Sequence, residues 1–276
     1  MAVETTTFSN NSADTWFRDI MFDCVLCPRA CHVNRLAGQT GYCGQTAELM
    51  AARASLDYWE EPCISGTSGS GTVFFSGCNL RCVFCQNHNI ALGKAGRVIA
   101  PEHLAEIFLQ LQEQGANNIN LVTPTHFLPQ IVIALEQAKQ QGLHLPIVYN
   151  TGSYESPEAL RHLEGLVDIY LPDLKYFSPE LSTAYSHAPD YFETACAAIS
   201  EMYRQVGDSV IDEDTGLMQH GMIVRHPLLP GQTKDSKKIL RYLHETYGDH
   251  IYISIMNQYT PCLLYTSPSP RDRTRS

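Results

Sequence analysis

Cys78, Cys82 and Cys85 fall within eight residues of one another in GCNLRCVFCQNHNI, directly after the apolar run TVFF. Thiols spaced by three and then two residues, on a loop stiffened by Gly77, can converge on one centre. Three of them leave a tetrahedral ion or an iron–sulfur cubane one protein ligand short, the arrangement of a site that takes its last ligand from a substrate. Zinc is the other reading, with His88 or a distant thiol as the candidate fourth ligand. A second group, Cys24, Cys27, Cys31 and Cys43, carries four thiols and is complete by itself, with Arg35, Gly38, Gly41 and Gly44 supplying turn chemistry. Zinc, an auxiliary iron–sulfur cluster and a metal-free lid are all compatible with it. Cys63 and Cys196 read as small core thiols.

Composition narrows the partners. The 276 residues are 44% hydrophobic and 17% charged, which describes a globular chain. A formal net charge of −10 argues against nucleic acid as the main partner, because phosphate binding needs clustered Lys and Arg. No apolar window is long enough for a membrane span, and MAVETTTFSNNSADTWFRD has neither the basic nor the apolar region of a secretory signal. A cytoplasmic location is therefore expected. In a reducing compartment ten cysteines hold metal or do chemistry sooner than they form a disulfide framework.

The elements that must position these thiols follow from periodicity. Residues 1–20 form a polar segment expected to fray, and residues 21–71 a loop-rich, Cys-rich module. From residue 72, strand-like runs recur at 72–77, 118–123, 146–151, 167–173, 222–229 and 251–256. Helical stretches separate them, as in APEHLAEIFLQLQEQG and PQIVIALEQAKQQG, each closed by Gly, and SPEALRHLEG opens with Ser156 as N-cap and Pro157 at the first helical position. Strands apolar on both faces that alternate with helices imply a parallel sheet. The first expectation is an α/β fold, a partial (β/α)6 TIM-type barrel over residues 72–261; a doubly wound sheet is second. Residues 262–276, CLLYTSPSPRDRTRS, break the pattern, resemble an in-frame translation of a sequencing adapter, and are set aside as non-native. The native C-terminal part is expected to be missing.

CNLRCVFC, with the aromatic Phe84 before the third Cys, resembles the cluster loop of the radical S-adenosylmethionine (SAM) enzymes. The resemblance implies a [4Fe–4S] cluster held by Cys78, Cys82 and Cys85, with SAM chelating the fourth iron. It further implies reductive cleavage of SAM to a 5′-deoxyadenosyl radical that abstracts hydrogen, and an electron donor such as flavodoxin or ferredoxin. Within the superfamily the chain is similar to the branch of pyruvate formate-lyase activating enzyme, and its CVLCPRACHVNR stretch to uncharacterised proteins of that branch. Activating enzymes create a glycyl radical on a partner protein; the resemblance leaves open whether this chain does so.

The same resemblance implies further SAM contacts. Asp173 and Lys175 form a D-x-K after the fourth predicted strand, and Asn150–Thr151 stand where the branch has Asp-Thr beside a monovalent-cation site, which the Asn puts in doubt. LVTPTHF replaces a Gly-Gly-Glu, leaving Thr123, Thr125 and His126 as acceptors, His126 being equally readable as a helix cap. Arg225 and His226 match a basic position near SAM, and MNQYTP could close over the adenine. Two other classes compete: a non-catalytic iron–sulfur electron-transfer or metal-binding protein, and a zinc hydrolase, for which no H-E-x-x-H motif is present.

Overall fold

In the computed structural model, residues 12–259 are described. The expectations placed on residues 1–11 and 260–276, including the adapter-like segment, lie outside them.

The chain runs through α1 (Ser12–Phe22), β1 (Met50–Asp57), α2 (Pro62–Ser65), β2 (Ser70–Phe75), α3 (His88–Ala91), β3 (Arg97–Val98) and α4 (Pro101–Glu113). It continues through β4 (Ile119–Val122), α5 (Leu128–Gln140), β5 (Ile147–Thr151), α6 (Pro157–Leu160), β6 (Ile169–Pro172), α7 (Pro179–Ser186) and α8 (Tyr191–Val206). It closes with β7 (Val210–Ile211), β8 (Met218–Pro227), α9 (Thr233–Tyr247) and β9 (Tyr252–Met256).

Six strands pair parallel in chain order: β2 with β4, then β5, β6, β8 and β9. An order without reversal rules out the doubly wound alternative, which needs a switch point in the sheet. β1 and β3 add an antiparallel edge to β2, and β7 an antiparallel strand to β8. Residues 50–57, expected within the Cys-rich module, thus belong to the sheet. Residues 12–22, of which 12–20 lie in the segment expected to fray, form a helix that buries Phe17, Ile20 and Met21 and stacks Trp16 on His162 at 3.7 Å. The spacing of those apolar residues is one helical face, short enough to be masked by the polar residues around it.

The parallel strands alternate their side chains between two faces. Ile147, Tyr149 and Tyr170 join the larger core under the helices, to which α4 contributes Leu104, Phe108 and Leu111, and α5 Ile131, Leu135 and Ala138. Val148, Ile169, Leu171, Met218 and Ile223 join a smaller core on the other face, closed by Ile64 of α2. Gly115 and Gly142, just past α4 and α5, take φ of +85° and +104°, so the chain turns back to the next strand where a left-handed residue is needed. Ser156 caps α6 through its hydroxyl, which accepts from Ala159 N–H.

Candidate functional site

β2 ends at Phe75, and the loop after it carries all three thiols of the first motif. Gly77 turns at φ +89°, and a Cβ there would stand 2.6 Å from Gln45 Cγ and 2.8 Å from the Cys43 carbonyl oxygen. Three other parts of the chain then grip the loop. Arg29 Nε donates to Asn79 O (2.8 Å), while its other nitrogens donate to Ser186 O (2.9 Å) and His187 O (2.5 Å) at the C-terminal end of α7. Asn79 Nδ2 donates to Tyr154 O (2.6 Å), and Val83 N–H to Tyr185 O (2.9 Å). Leu80 N–H donates to Cys78 Sγ (3.4 Å), and Ser186 Oγ to Cys82 Sγ (3.0 Å).

These contacts gather the thiols into one electrostatic neighbourhood. Burial, followed by the proximity of Cys78 and Cys82, pushes the Cys85 thiol up to about 12; Cys78 is raised by burial and then by Cys82. Lys175 opposes both shifts, so its ammonium lies within electrostatic reach of the thiols. Three sulfurs beside backbone donors and a cation are the donor set a cluster with one exchangeable corner requires. Among the described residues no three His, Cys, Asp or Glu side chains stand ready around a common ion; a bound metal would draw the sulfurs inward. Phe84 lies behind them in an aromatic wall, its ring centroid 6.0 Å from Tyr185, 6.0 Å from Tyr259 and 6.3 Å from Tyr176.

The polar ends of β5, β6 and β8 meet in one buried network. Lys175 Nζ pairs with Asp173 Oδ2, and Arg225 Nε donates to Asp173 Oδ1 at 3.0 Å. Burial works against the Asp173 charge, yet Lys175 and Arg225 outweigh it and hold the carboxyl below its usual range. Arg225 also donates to Asn150 Oδ1 (2.5 Å) and Glu60 Oε2 (3.2 Å). Glu60 Oε1 in turn accepts from Asn120 and Asn150, each at 3.2 Å. Tyr191 Oη accepts from Lys175 N–H (3.1 Å) and reaches the carbonyls of Asp173 (2.8 Å) and Gly152 (3.0 Å), fixing the strand ends to α8. A Cβ on Gly152 would stand 2.7 Å from Leu80 Cδ1, so glycine lets this strand end approach the thiol loop.

Asn150, Asp173, Lys175 and Arg225 are thus brought together. Thr151 is not: as the next strand residue it faces the helices, where its hydroxyl donates to Glu155 Oε1, which also takes Thr125 Oγ1 at 2.6 Å. His126 is neither a helix cap nor turned toward this network. Its Nε2–H donates to Ser76 O at 2.6 Å, and the buried ring borders the N-terminal cysteines. His226 Nδ1–H donates to Leu174 O at 2.7 Å. The sequence reading missed Glu60, Asn120 and Tyr191. A carboxylate in YWEEP carries no spacing signal, and its partners lie 60, 90 and 165 residues away.

The model of the Radical SAM superfamily matches residues 72–243. The chain is 27% identical over 254 residues to an uncharacterized protein of Methanocaldococcus jannaschii, covering 88% of this chain and 68% of that one. It is 29% identical over 121 residues to the pyruvate formate-lyase-activating enzyme of Clostridium pasteurianum, 41% of this chain and 48% of the enzyme. Among solved structures, methylornithine synthase matches with a TM-score of 0.42 at 17% identity, over 67% of this chain and 52% of the synthase. The chain therefore spans about half the length of the activating enzyme.

Proposed function

The chain belongs to the radical SAM superfamily, and on that premise we propose that it is an activating-enzyme-like radical SAM enzyme that abstracts hydrogen from a partner, with a glycyl-radical protein as the partner class. The family carries a [4Fe–4S] cluster and SAM; when bound, they supply reductive cleavage of the sulfonium to a 5′-deoxyadenosyl radical. Cys78, Cys82 and Cys85 would hold the cluster. Lys175, kept charged by Asp173, would take the SAM carboxylate by a charge-assisted hydrogen bond. Arg225 would act from behind: with one side on Asp173 and the other on Glu60 and Asn150, it fixes the carboxylate that fixes the lysine. Asn150 bonds that guanidinium, which supports a positioning role and gives no support to a monovalent-cation site. Phe84 and the tyrosines around it would keep water from the radical.

The same reading takes the sequential six-strand order as a partial barrel whose interior face carries Asn120, Asn150, Asp173 and Arg225, with residues 21–49 as a Cys-rich cover. Flavodoxin or ferredoxin in a reducing cytoplasm would supply the electron. One observation carries the proposal: three thiols on the loop leaving β2, within electrostatic reach of a largely buried ammonium on the loop leaving β6. Anaerobic reconstitution followed by dithionite and SAM should release 5′-deoxyadenosine, and Cys82→Ala should release none. An intact cluster without that product defeats the enzymatic reading in favour of an electron-transfer protein. The glycyl-radical part is tested separately, by the doublet electron paramagnetic resonance signal of a co-purifying partner.

A further inference from the structure

Cys24, Cys27, Cys31 and Cys43 line one small cavity that Arg35 and His126 also border, near one another but not drawn around a common point. Local structure brings them there from two loops. Cys24 N–H donates to Val33 O and His32 N–H to Cys24 O, each at 3.1 Å, folding the first three cysteines back on themselves. Ala30 and His32 take φ of +40° and +53° to allow it. The second loop passes over the first at Gly41, where a Cβ would stand 2.7 Å from Cys31 Sγ; only glycine brings Cys43 so close. Backbone donors point at the sulfurs: Tyr42 N–H lies 3.3 Å from Cys31 Sγ, and the Arg29 and Gln45 amides bond Cys27 and Cys43.

The wall of this cavity is unfinished in polar terms. Arg35 is 1% exposed, and among the described residues it pairs with no carboxylate. Its Nε and one terminal nitrogen donate to Thr46 O, and Nη1 has no partner. Arg29 beside it donates only to carbonyls. His126 is 2% exposed, and with Nε2–H on Ser76 O its Nδ1 lone pair is unpartnered. A buried cation without a counter-charge is costly, and four neutral thiols supply none.

We propose that Cys24, Cys27, Cys31 and Cys43 bind one tetrahedral zinc ion. Four thiol protons leave to solvent as four Zn–S bonds form, and the resulting net charge of −2 faces Arg29 and Arg35. Four protein thiols fill a tetrahedral ion's coordination and leave no exchangeable position, which is the donor set of a closed structural zinc site. The backbone amides aimed at sulfur complete the surroundings a metal thiolate requires. The ion would hold the segment whose Arg29 bonds Asn79 O and whose Tyr42 hydroxyl lies 3.4 Å from Leu80 O, so it would staple the loop bearing Cys78.

The full chain, purified anaerobically from zinc-supplemented cells and washed with a weak chelator, should retain about one zinc, its extended X-ray absorption fine structure showing four sulfurs at about 2.3 Å. The triple variant Cys78→Ala/Cys82→Ala/Cys85→Ala should keep that zinc, and Cys24→Ala/Cys43→Ala should lose it. Absence of tightly held zinc in the parent chain, a nitrogen or oxygen shell around it, iron in its place, a disulfide between these cysteines, or zinc retained by the double variant would each overturn the proposal. The absorption spectrum of the parent chain decides even if the double variant fails to fold.

Discussion

Arg225 is surrounded by two carboxylates and an amide, Asp173 and Asn150 buried and Glu60 partly so, and the two carboxylates hold opposite electrostatic positions. Glu60 is raised by burial, which Arg225 only partly offsets, whereas Asp173 is held low by two cations. Removing one partner of such a group leaves charge uncompensated. Glu60→Ala should therefore destabilise the chain by about 3 kcal/mol in urea unfolding, and Glu60→Gln by clearly less, because it keeps the acceptor for the asparagines. Equal losses would show that packing, not charge, is what Glu60 supplies. Glu155 gives a pH signature. Burial pushes its carboxyl up to about 7, against hydrogen bonds from Thr125, Thr151 and Tyr149. Between its ordinary value of 4.5 and about 7 the folded chain keeps a proton that the unfolded chain loses, so stability falls as pH rises through that window. The fall should be about 3 kcal/mol from pH 4.5 to 8 and should flatten in Glu155→Gln. A parallel slope in both chains would remove Glu155 as its source.

At the scale of elements, the loop leaving β2 depends on one backbone position. Gly77→Ala would force a Cβ into the Cys43 carbonyl at a positive φ. It should cost about 2 kcal/mol and lower iron incorporation well below the parent after identical reconstitution, with far-ultraviolet ellipticity unchanged. The three thiols and six parallel strands were legible in the sequence because each is a local signal: tight cysteine spacing, or an apolar run closed by a turn residue. α1 and β1 were not. α1 shows one short apolar face among polar residues, and β1 is half exposed, its strand character coming from the β2 register that pairs Ala54 with Val73. The neighbours of the thiols were legible only in part. Lys175 sits in a readable D-x-K, while Tyr191 acts from a helix whose sequence gives no hint of the loop it ties down.

For the whole molecule, the N-terminal segment and the sheet are joined through few but central bonds. Arg29 spans Asn79, Ser186 and His187 while stacking on Tyr42 at 3.9 Å. Arg29→Met should keep apolar packing on the Tyr42 ring and lose the three bonds, raising amide exchange in residues 24–45 and 78–85 together by about tenfold or more while the strands stay protected. Exchange confined to residues 24–45 would show the two regions to be independent. The two tryptophans give this joint an optical readout. Trp59 is 95% exposed and Trp16 lies against an imidazole at 3.7 Å. Emission from the first already has its solvated wavelength in the native chain, and a ring stacked on histidine is quenched. Brightening on mild denaturation would therefore report α1 lifting off, ahead of any loss of the sheet, without a label.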